Sequence, residues 1–333
     1  WSIRHMRVLV TGGAGYIGSH AVLRLLENGH QVVSIDNLSR GHAEAEKTLS
    51  NIGGESYTPV RCDLHETQRI ADLLTSHSVD VVMHFAAFAE VGESVEHPLL
   101  YYHNNVGGMI SLLQAMDEAN TSKIIFSSSC SVYGKVNGAV HEKKKLNPNG
   151  YYAFTKLKSE EFIIKYSRKY KLKYGILRYF NVAGASQSGK VGEIQASHGH
   201  LIKNLAIQSL KKNPKIEIFG KNYKTKDGTC VRDYIHVSDL ADIHLKSLKF
   251  LNQKKKSFIL NCGYGKGYSV KEIIYIFKKI KKNLVIEYSA RRPGDVDKVF
   301  ANNKKIKKIL RWKPKFANIE KIIKSAIKWE KKI

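Results

Sequence analysis

The run Arg7-Val8-Leu9-Val10-Thr11-Gly12-Gly13-Ala14-Gly15-Tyr16-Ile17-Gly18, with Asp36 at the end of the next apolar run, decides the fold. Residues 7–10 are mostly apolar and β-branched, the composition of a buried strand. After the glycines, Ala21, Val22, Leu25 and Leu26 recur at helical spacing until Gly29 and His30 stop the helix. Gln31–Ile35 reads as a second strand closed by Asp36. Strand, glycine turn, helix and strand within about 30 residues is the setting of a dinucleotide-binding unit. Gly12 permits the tight turn, Gly15 lets backbone approach a diphosphate, and Gly18 lets the helix pack on the sheet. The helix N-terminus turns N–H groups and a positive dipole toward the phosphates. Asp36, 21 residues after Gly15, can hold a ribose diol and repels a 2′-phosphate, so NAD is favoured over NADP.

The chain of 333 residues suffices for one large domain or two modest ones, and its 43% hydrophobic content supports a packed core. No uncharged apolar run approaches the roughly 20 residues of a membrane span. No secretory leader is expected, and residues 1–5 read as a cloning remnant ahead of Met6. Cys62, Cys130, Cys230 and Cys262 are widely spaced with no C-x-x-C pair, so no metal is expected and reduced thiols in the cytoplasm are the simplest account. The formal charge of +26 is unevenly placed: residues 1–150 hold 12 Lys and Arg against 15 Asp and Glu, a net of −3, and residues 151–333 hold 43 against 14, a net of +29. Such a balance raises the question of nucleic acid. The Lys runs, however, interrupt apolar residues at helical spacing, as around Ile273, Ile274, Phe277 and Ile280, and read as solvated helix faces. Neither nucleic acid nor a membrane is an expected partner.

Further strands follow. Cys62-Asp63-Leu64 ends a third, and Val81–Phe85 is apolar apart from His84, which reads as a packed core histidine. Ile124-Ile125-Phe126 runs into Ser127-Ser128-Ser129-Cys130-Ser131-Val132-Tyr133-Gly134, and Tyr152-Ala153-Phe154-Thr155-Lys156 opens an amphipathic helix. Tyr and Lys four apart share a helical face. A Tyr near its free pKa of about 10 is a poor base at neutral pH. An adjacent ammonium and a nicotinamide cation both favour the phenolate, so a lowered Tyr152 pKa is expected, with a Ser hydroxyl orienting the substrate hydroxyl.

With Tyr16-Ile17 inside a Gly-x-x-Gly-x-x-Gly spacing, the chain resembles the extended short-chain dehydrogenase/reductase family. From Met6 onward it resembles that family's UDP-glucose (UDP-galactose) 4-epimerase branch. The segments that carry the likeness are Gly12–Gly18, Val91–Val95, Tyr101–Asn105, Ser127–Gly134, Leu177–Asn181, Ile218–Gly220, Asp227–Thr229, Val231–Val237 and Arg292-Pro293-Gly294-Asp295. The resemblance implies a Rossmann-type doubly wound parallel sheet over residues 6–180 and a smaller mixed α/β substrate lobe over 181–333, with some elements crossing back. It implies tightly bound, recycled NAD, C4 epimerisation of a UDP-hexose through a 4-keto sugar, and a homodimer formed through helices that include the one bearing Tyr152. Tyr152 would be the acid/base, Ser129 its assistant, and Lys156 would tune Tyr152 and hold the nicotinamide ribose. Gly12, Gly15, Tyr16, Ile17, Gly18, Asp36, Asn37, Asp63, Leu64, Phe85, Ala86, Ala87, Asn104, Ser127 and Phe180 would complete the NAD site. Asn181, His200 and Leu201 fall at positions for the substrate diphosphate and nucleotide. Arg232 and Arg292 would clamp the diphosphate, Asp295 would contact the uridine ribose, and Ile218 and Phe219 would pack on uracil. Phe180, Ile218 and Phe219 fit a purely core role equally well, and Arg232 beside Asp233 could be a local ion pair.

Three departures stand out. Ala89 occupies a place where many members carry Lys near the cofactor diphosphate. The tyrosine motif is doubled, Tyr151-Tyr152, though only Tyr152 has Lys at i+4. Val299 stands where some members place a large Tyr against the sugar, and its small size goes with acceptance of 2-acetamido sugars. Related 4,6-dehydratases put Asp-Glu where this chain has Cys130-Ser131, which cannot serve as acid and base for elimination. A different NAD-dependent nucleotide-sugar enzyme, such as a UDP-glucuronate 4-epimerase, and an inactive NAD fold that binds nucleic acid are the alternative readings.

Overall fold

The computed structural model describes residues 5–194, 200–292 and 294–333. Residues 1–4 and Pro293, which entered the sequence reading, lie outside the described residues. In chain order the strands are β1 (Arg7–Thr11), β2 (Gln31–Asp36), β3 (Tyr57–Arg61), β4 (Val81–His84), β5 (Lys123–Ser129), β6 (Gly138–Val140) and β7 (Lys173–Tyr179). They continue with β8 (Asn181–Ala183), β9 (Lys215–Phe219), β10 (Val231–His236), β11 (Phe258–Cys262), β12 (Gly267–Ser269), β13 (Val285–Ser289) and β14 (Lys298–Ala301).

Two compact units emerge. The first takes residues 1–132, 148–178 and 241–260, and the second takes 133–147, 179–240 and 261–333. Residues 133–147 thus fall in the second unit and 241–260 in the first, on either side of residue 180. Residues 241–254, most of the helix Val237–Lys254, belong to the first unit, where Asp242 accepts from Arg24 at 3.0 Å and the His244 ring lies 4.8 Å from that of Phe85.

The first unit is built on a seven-stranded sheet in the order β11-β7-β5-β4-β1-β2-β3. The contiguous strands β5-β4-β1-β2-β3 are parallel, with Val8 registered between Val32 and Val81. β1 and β4 are buried almost throughout, as strands covered on both faces must be. Leu9, Ile35, Val82 and Phe126 from the strands meet Ile70, Leu112 and Ile163 from helices in one core. The order reverses between β1 and β4, so their carboxyl ends flank the crevice where doubly wound sheets bind ligands.

The second unit holds a sheet β12-β10-β14-β6, with β8 also on β10, and a parallel pair β13-β9. Ile202, Leu205, Ile216, Tyr234, Ile273, Phe277 and Ile323 form its core. The helix Val270–Lys278 begins with a capping box in which the Ser269 hydroxyl accepts from Glu272 N–H and the Glu272 carboxylate accepts from Ser269 N–H. Ile273, Ile274 and Phe277 are buried there, but Ile280 lies beyond the helix end and is exposed, so its place in the apolar stripe is lost. Lys304, Lys305, Lys307 and Lys308 face solvent around the buried Ile306. Among the described residues no helix is long and apolar enough to cross a membrane.

Candidate active site

The glycine turn closes the carboxyl end of β1. Gly12 has φ +71°, and a Cβ there would lie 2.7 Å from the Ala86 nitrogen, so both conformation and the approach of the β4 exit demand glycine. A Cβ on Gly18 would collide with the Gly12 carbonyl oxygen, which lets the helix Tyr16–Leu26 sit directly on the turn. A Cβ on Gly15 would meet nothing nearer than that same oxygen at 3.3 Å. Gly15 caps the helix without a side-chain oxygen, so the helix start is built to receive an external anion.

Asp36 ends β2 almost fully buried. Its carboxylate accepts from Ala14 N–H at 3.1 Å and Leu38 N–H at 2.9 Å, yet burial still raises its pKa. Beside it, Asn37 donates to Asp63 at 2.7 Å, and Asp63 also accepts from the His65 N–H. Leu64 is buried. After β4, the Phe85 and Ala86 N–H groups both donate to the Thr11 hydroxyl at 3.2 Å, which fixes the Phe85-Ala86-Ala87 exit against β1. His84 is a core histidine, its Nδ1 2.6 Å from Thr11 Oγ1 and its pKa pushed down to about 3 by burial and then by Lys156. These groups suit a dinucleotide: an uncapped helix start, a glycine cradle and a buried carboxylate.

The catalytic side chains come from β5 and the helix Tyr151–Tyr170. Ser129 is a neighbour that favours the Tyr152 phenolate, and its own oxygen accepts from Ser131 N–H at 3.1 Å. Lys156 is buried, with Nζ donating to the Ser127 carbonyl at 2.7 Å and lying 5.9 Å from the Tyr152 ring centroid. In the protein alone, without the nicotinamide charge that the expected lowering invoked, burial drives the Tyr152 pKa up to about 12, against the opposing effect of Ser129. Burial likewise drives Lys156 down to about 7, partly offset by Glu160. Desolvation disfavours both charged forms and here outweighs local pairing.

The sequence reading missed two supports of this arrangement. Glu160, one turn beyond Lys156, accepts from Ser128 Oγ at 2.5 Å and from Arg178 Nε and Nη2 at 3.0 and 2.6 Å, all nearly fully buried. Asn105 lies in a π-helical turn, Tyr102–Gly107, a rare geometry common at functional sites. Its side chain pairs with both backbone groups of Phe88 and donates to Thr155 Oγ1. Asn104, the predicted contact, donates to Asn105 at 3.0 Å. The only available signal was the Tyr101–Asn105 resemblance, which does not reveal what Asn105 braces.

In the second unit, Arg232 donates to Asp295 at 3.2 Å and to its neighbour's Val231 carbonyl, so its ion pair is with Asp295 rather than Asp233. Asp233 instead accepts from the Tyr264, Gly265 and Ala301 N–H groups. The Arg292 guanidinium lies 3.9 Å from the Phe219 ring centroid, and Asp295 N–H closes a turn onto the Arg292 carbonyl. β9 alternates, so the Ile218 side chain enters the core, the role the sequence left open for it, while Phe219 is half-buried under Arg292. Val299 is buried on β14 in register with Arg232. Asn181 is exposed at the start of β8, Phe180 is buried, and His200 is exposed against Glu193 ahead of Leu201, which packs on the core.

A buried dinucleotide carboxylate and a Ser–Tyr–Lys set that can exchange a proton with a substrate hydroxyl make up the chemistry of the short-chain dehydrogenase/reductase class. The chain belongs to the NAD dependent epimerase/dehydratase family, whose model matches residues 8–263. It is 43% identical over 329 residues to a UDP-glucose 4-epimerase of Lactobacillus helveticus, covering 98% of this chain and 97% of that protein. A crystal structure of a UDP-glucose 4-epimerase from Stenotrophomonas maltophila, with bound NAD and formylated UDP-arabinopyranose, matches with a TM-score of 0.94 at 37% identity over 98% of each chain. The UDP-Glc/GlcNAc 4-epimerase of Campylobacter jejuni matches with a TM-score of 0.85 at 38% identity, over 98% of this chain and 100% of that one.

Proposed function

We propose that the protein is an NAD-dependent epimerase that inverts C4 of a UDP-hexose, interconverting UDP-glucose and UDP-galactose through a transient 4-keto sugar. The observation that carries this reading is Tyr152 beside Ser129, with the buried Lys156 ammonium 5.9 Å from the Tyr152 ring centroid and anchored on the Ser127 carbonyl. Gly12, Gly15, Gly18 and the N–H groups of Tyr16 and Ile17 would hold the dinucleotide's diphosphate. Asp36 and Asn37 would hold its adenosine ribose, and Asp63 and Leu64 its adenine. Phe85, Ala86, Ala87, Asn104, Ser127, Lys156 and Phe180 would line the remainder. Bound there, NAD would supply a hydride acceptor and donor for C4 and a positive charge beside Tyr152.

Tyr152 Oη receives the proton of the sugar 4-hydroxyl, with Ser129 Oγ orienting that hydroxyl, and returns it at the end of the cycle. With its pKa near 12 the phenol holds its proton until positive charge is brought beside it, which ties proton transfer to a loaded site. Arg232 and Arg292 would engage the UDP diphosphate, Asn181, His200 and Leu201 would contact the nucleotide, Phe219 would stack on uracil, and Asp295 would bond the ribose. Such remote contacts retain the keto intermediate while the sugar turns over to present its other face. Cys130 and Ser131 offer no acid and base for expelling a C6 hydroxyl, which argues against a dehydratase. Val299, small and buried, would leave room for a 2-acetamido group, so UDP-N-acetylglucosamine is a second substrate.

Exposed Leu99, Leu100, Tyr151, Phe154 and Phe162 on neighbouring helices support a homodimer through the helix that bears Tyr152. Four free cysteines suit the reducing cytoplasm. The test is conversion of UDP-galactose to UDP-glucose by the wild type and by Tyr152→Phe. Wild-type turnover with NAD retained but activity lost in the variant supports the assignment, and near-normal activity in the variant refutes it.

A further inference from the structure

Arg40 occupies a place that the mechanism above does not use. The loop that leaves β2 folds back over the glycine turn: His42 N–H donates to the Ala14 carbonyl at 3.1 Å, and a Cβ on Gly41 would lie 2.7 Å from the Asp36 carboxylate oxygens. The loop also holds Leu38 at φ +56°, a left-handed conformation that a branched aliphatic residue adopts only under constraint. From this loop Arg40 reaches to the segment that leaves β4. Its Nη2 donates to Glu93 at 2.5 Å, its Nη1 lies 3.7 Å from Glu90, and its guanidinium stands 4.8 Å from the Phe88 ring centroid.

Both anchor points are themselves fixed. Tyr101 donates to the other Glu93 oxygen at 2.7 Å, and Asn105 pins the Phe88 backbone. Because the sheet order is β4-β1-β2, a bridge from the β2 loop to the β4 loop crosses the carboxyl end of β1, where the Gly12–Gly18 turn lies. Ala89, exposed between Phe88 and Glu90, adds no charge of its own. An isolated exposed ion pair is worth little, but a guanidinium shared by two carboxylates and stacked on a ring is a multipoint contact.

We infer that Arg40, held by Glu93, Glu90 and Phe88, is an ionic strap across the dinucleotide crevice whose role is to keep NAD from leaving between turnovers. The inference rests on the proposed use of NAD. A recycled cofactor must stay bound through many cycles, and a strap spanning both exit loops slows release without touching the reacting atoms.

The test is the release rate of labelled NAD from loaded protein chased with excess unlabelled NAD, for wild type, Arg40→Ala, Glu93→Gln and the double variant. Lys158→Ala, which removes an exposed ion pair with Glu161 elsewhere, serves as the control. The strap predicts release about tenfold faster in each single variant, no further gain in the double variant, and a wild-type rate in the control. It also predicts that high salt accelerates release from wild type but not from the double variant. Wild-type release rates in folded Arg40→Ala and Glu93→Gln, or effects that simply add, overturn it. Thermal unfolding of each variant separates lost strap from lost fold. If wild type binds no NAD at all, the functional reading fails; if wild type retains NAD and the variants do too, only the strap fails.

Discussion

The Lys156 ammonium nitrogen lies 2.7 Å from the Ser127 carbonyl oxygen, in a site where burial has moved its pKa from 10.5 to about 7. The strand carrying the serines and the helix carrying the tyrosine are thus joined by a group that the site can discharge near neutral pH.

That shift sets a pH dependence of stability. Between pH 7 and 10.5 the unfolded chain keeps the Lys156 proton and the folded chain has lost it, so this group's contribution makes wild type more stable as pH rises. The penalty is fully present below pH 7 and gone above 10.5. Lys156→Met should therefore be most favoured relative to wild type near pH 6, with the difference in melting temperature closing toward pH 10. Thermal unfolding of both proteins across that range measures it, and a pH-independent difference would show that the ammonium is not desolvated.

Arg178 and Glu160 form a nearly inaccessible ion pair that also receives Ser128. Arg178→Met strands a buried carboxylate and should cost about 3–5 kcal/mol, whereas Glu160→Gln with Arg178→Met should cost clearly less. Denaturant unfolding of the wild type and the two variants compares these values.

Gly12→Ala should both destabilise the protein and empty it of cofactor. The left-handed conformation alone costs about 1–2 kcal/mol for a residue with a Cβ, and the added atom meets the Ala86 backbone. Melting temperature and the NAD content of purified protein provide the check, and a variant that melts and loads like wild type would remove the turn from the account.

Val299 tests sugar choice. Wild type should turn over both UDP-glucose and UDP-N-acetylglucosamine, and Val299→Tyr should lower the ratio of acetamido to glucose turnover tenfold or more. Wild-type activity on UDP-glucose with no measurable rate on the acetamido sugar would end that proposal.

What could be read from the chain follows the range of the interactions. The β1–Gly12–Asp36 unit is local, as are the clash that a Gly18 Cβ would make with the Gly12 carbonyl and the i, i+4 pairing of Tyr152 with Lys156, whereas the steric need for glycine at 12 comes from Ala86, far along the chain. Glu160 with Arg178 and Ser128 is assembled from a helix and two strands, and no spacing announces it. The upward push of burial on Tyr152 was not legible, because charges can be counted from residue types, while desolvation depends on everything packed around the phenol. Which of Ile218 and Phe219 is core was left open by the sequence; adjacent strand positions face opposite sides, and only the structure shows that Phe219 is the one under Arg292.

The central claim is that the hydrogen on C4 leaves and returns while only the hydroxyl proton passes through Tyr152. Epimerisation of UDP-galactose in D2O, followed by NMR of the UDP-glucose formed, measures this directly. Product with protium at C4 and no deuterium on carbon is the predicted result. Deuterium at C4, which requires the carbon-bound hydrogen to exchange with solvent, would contradict it.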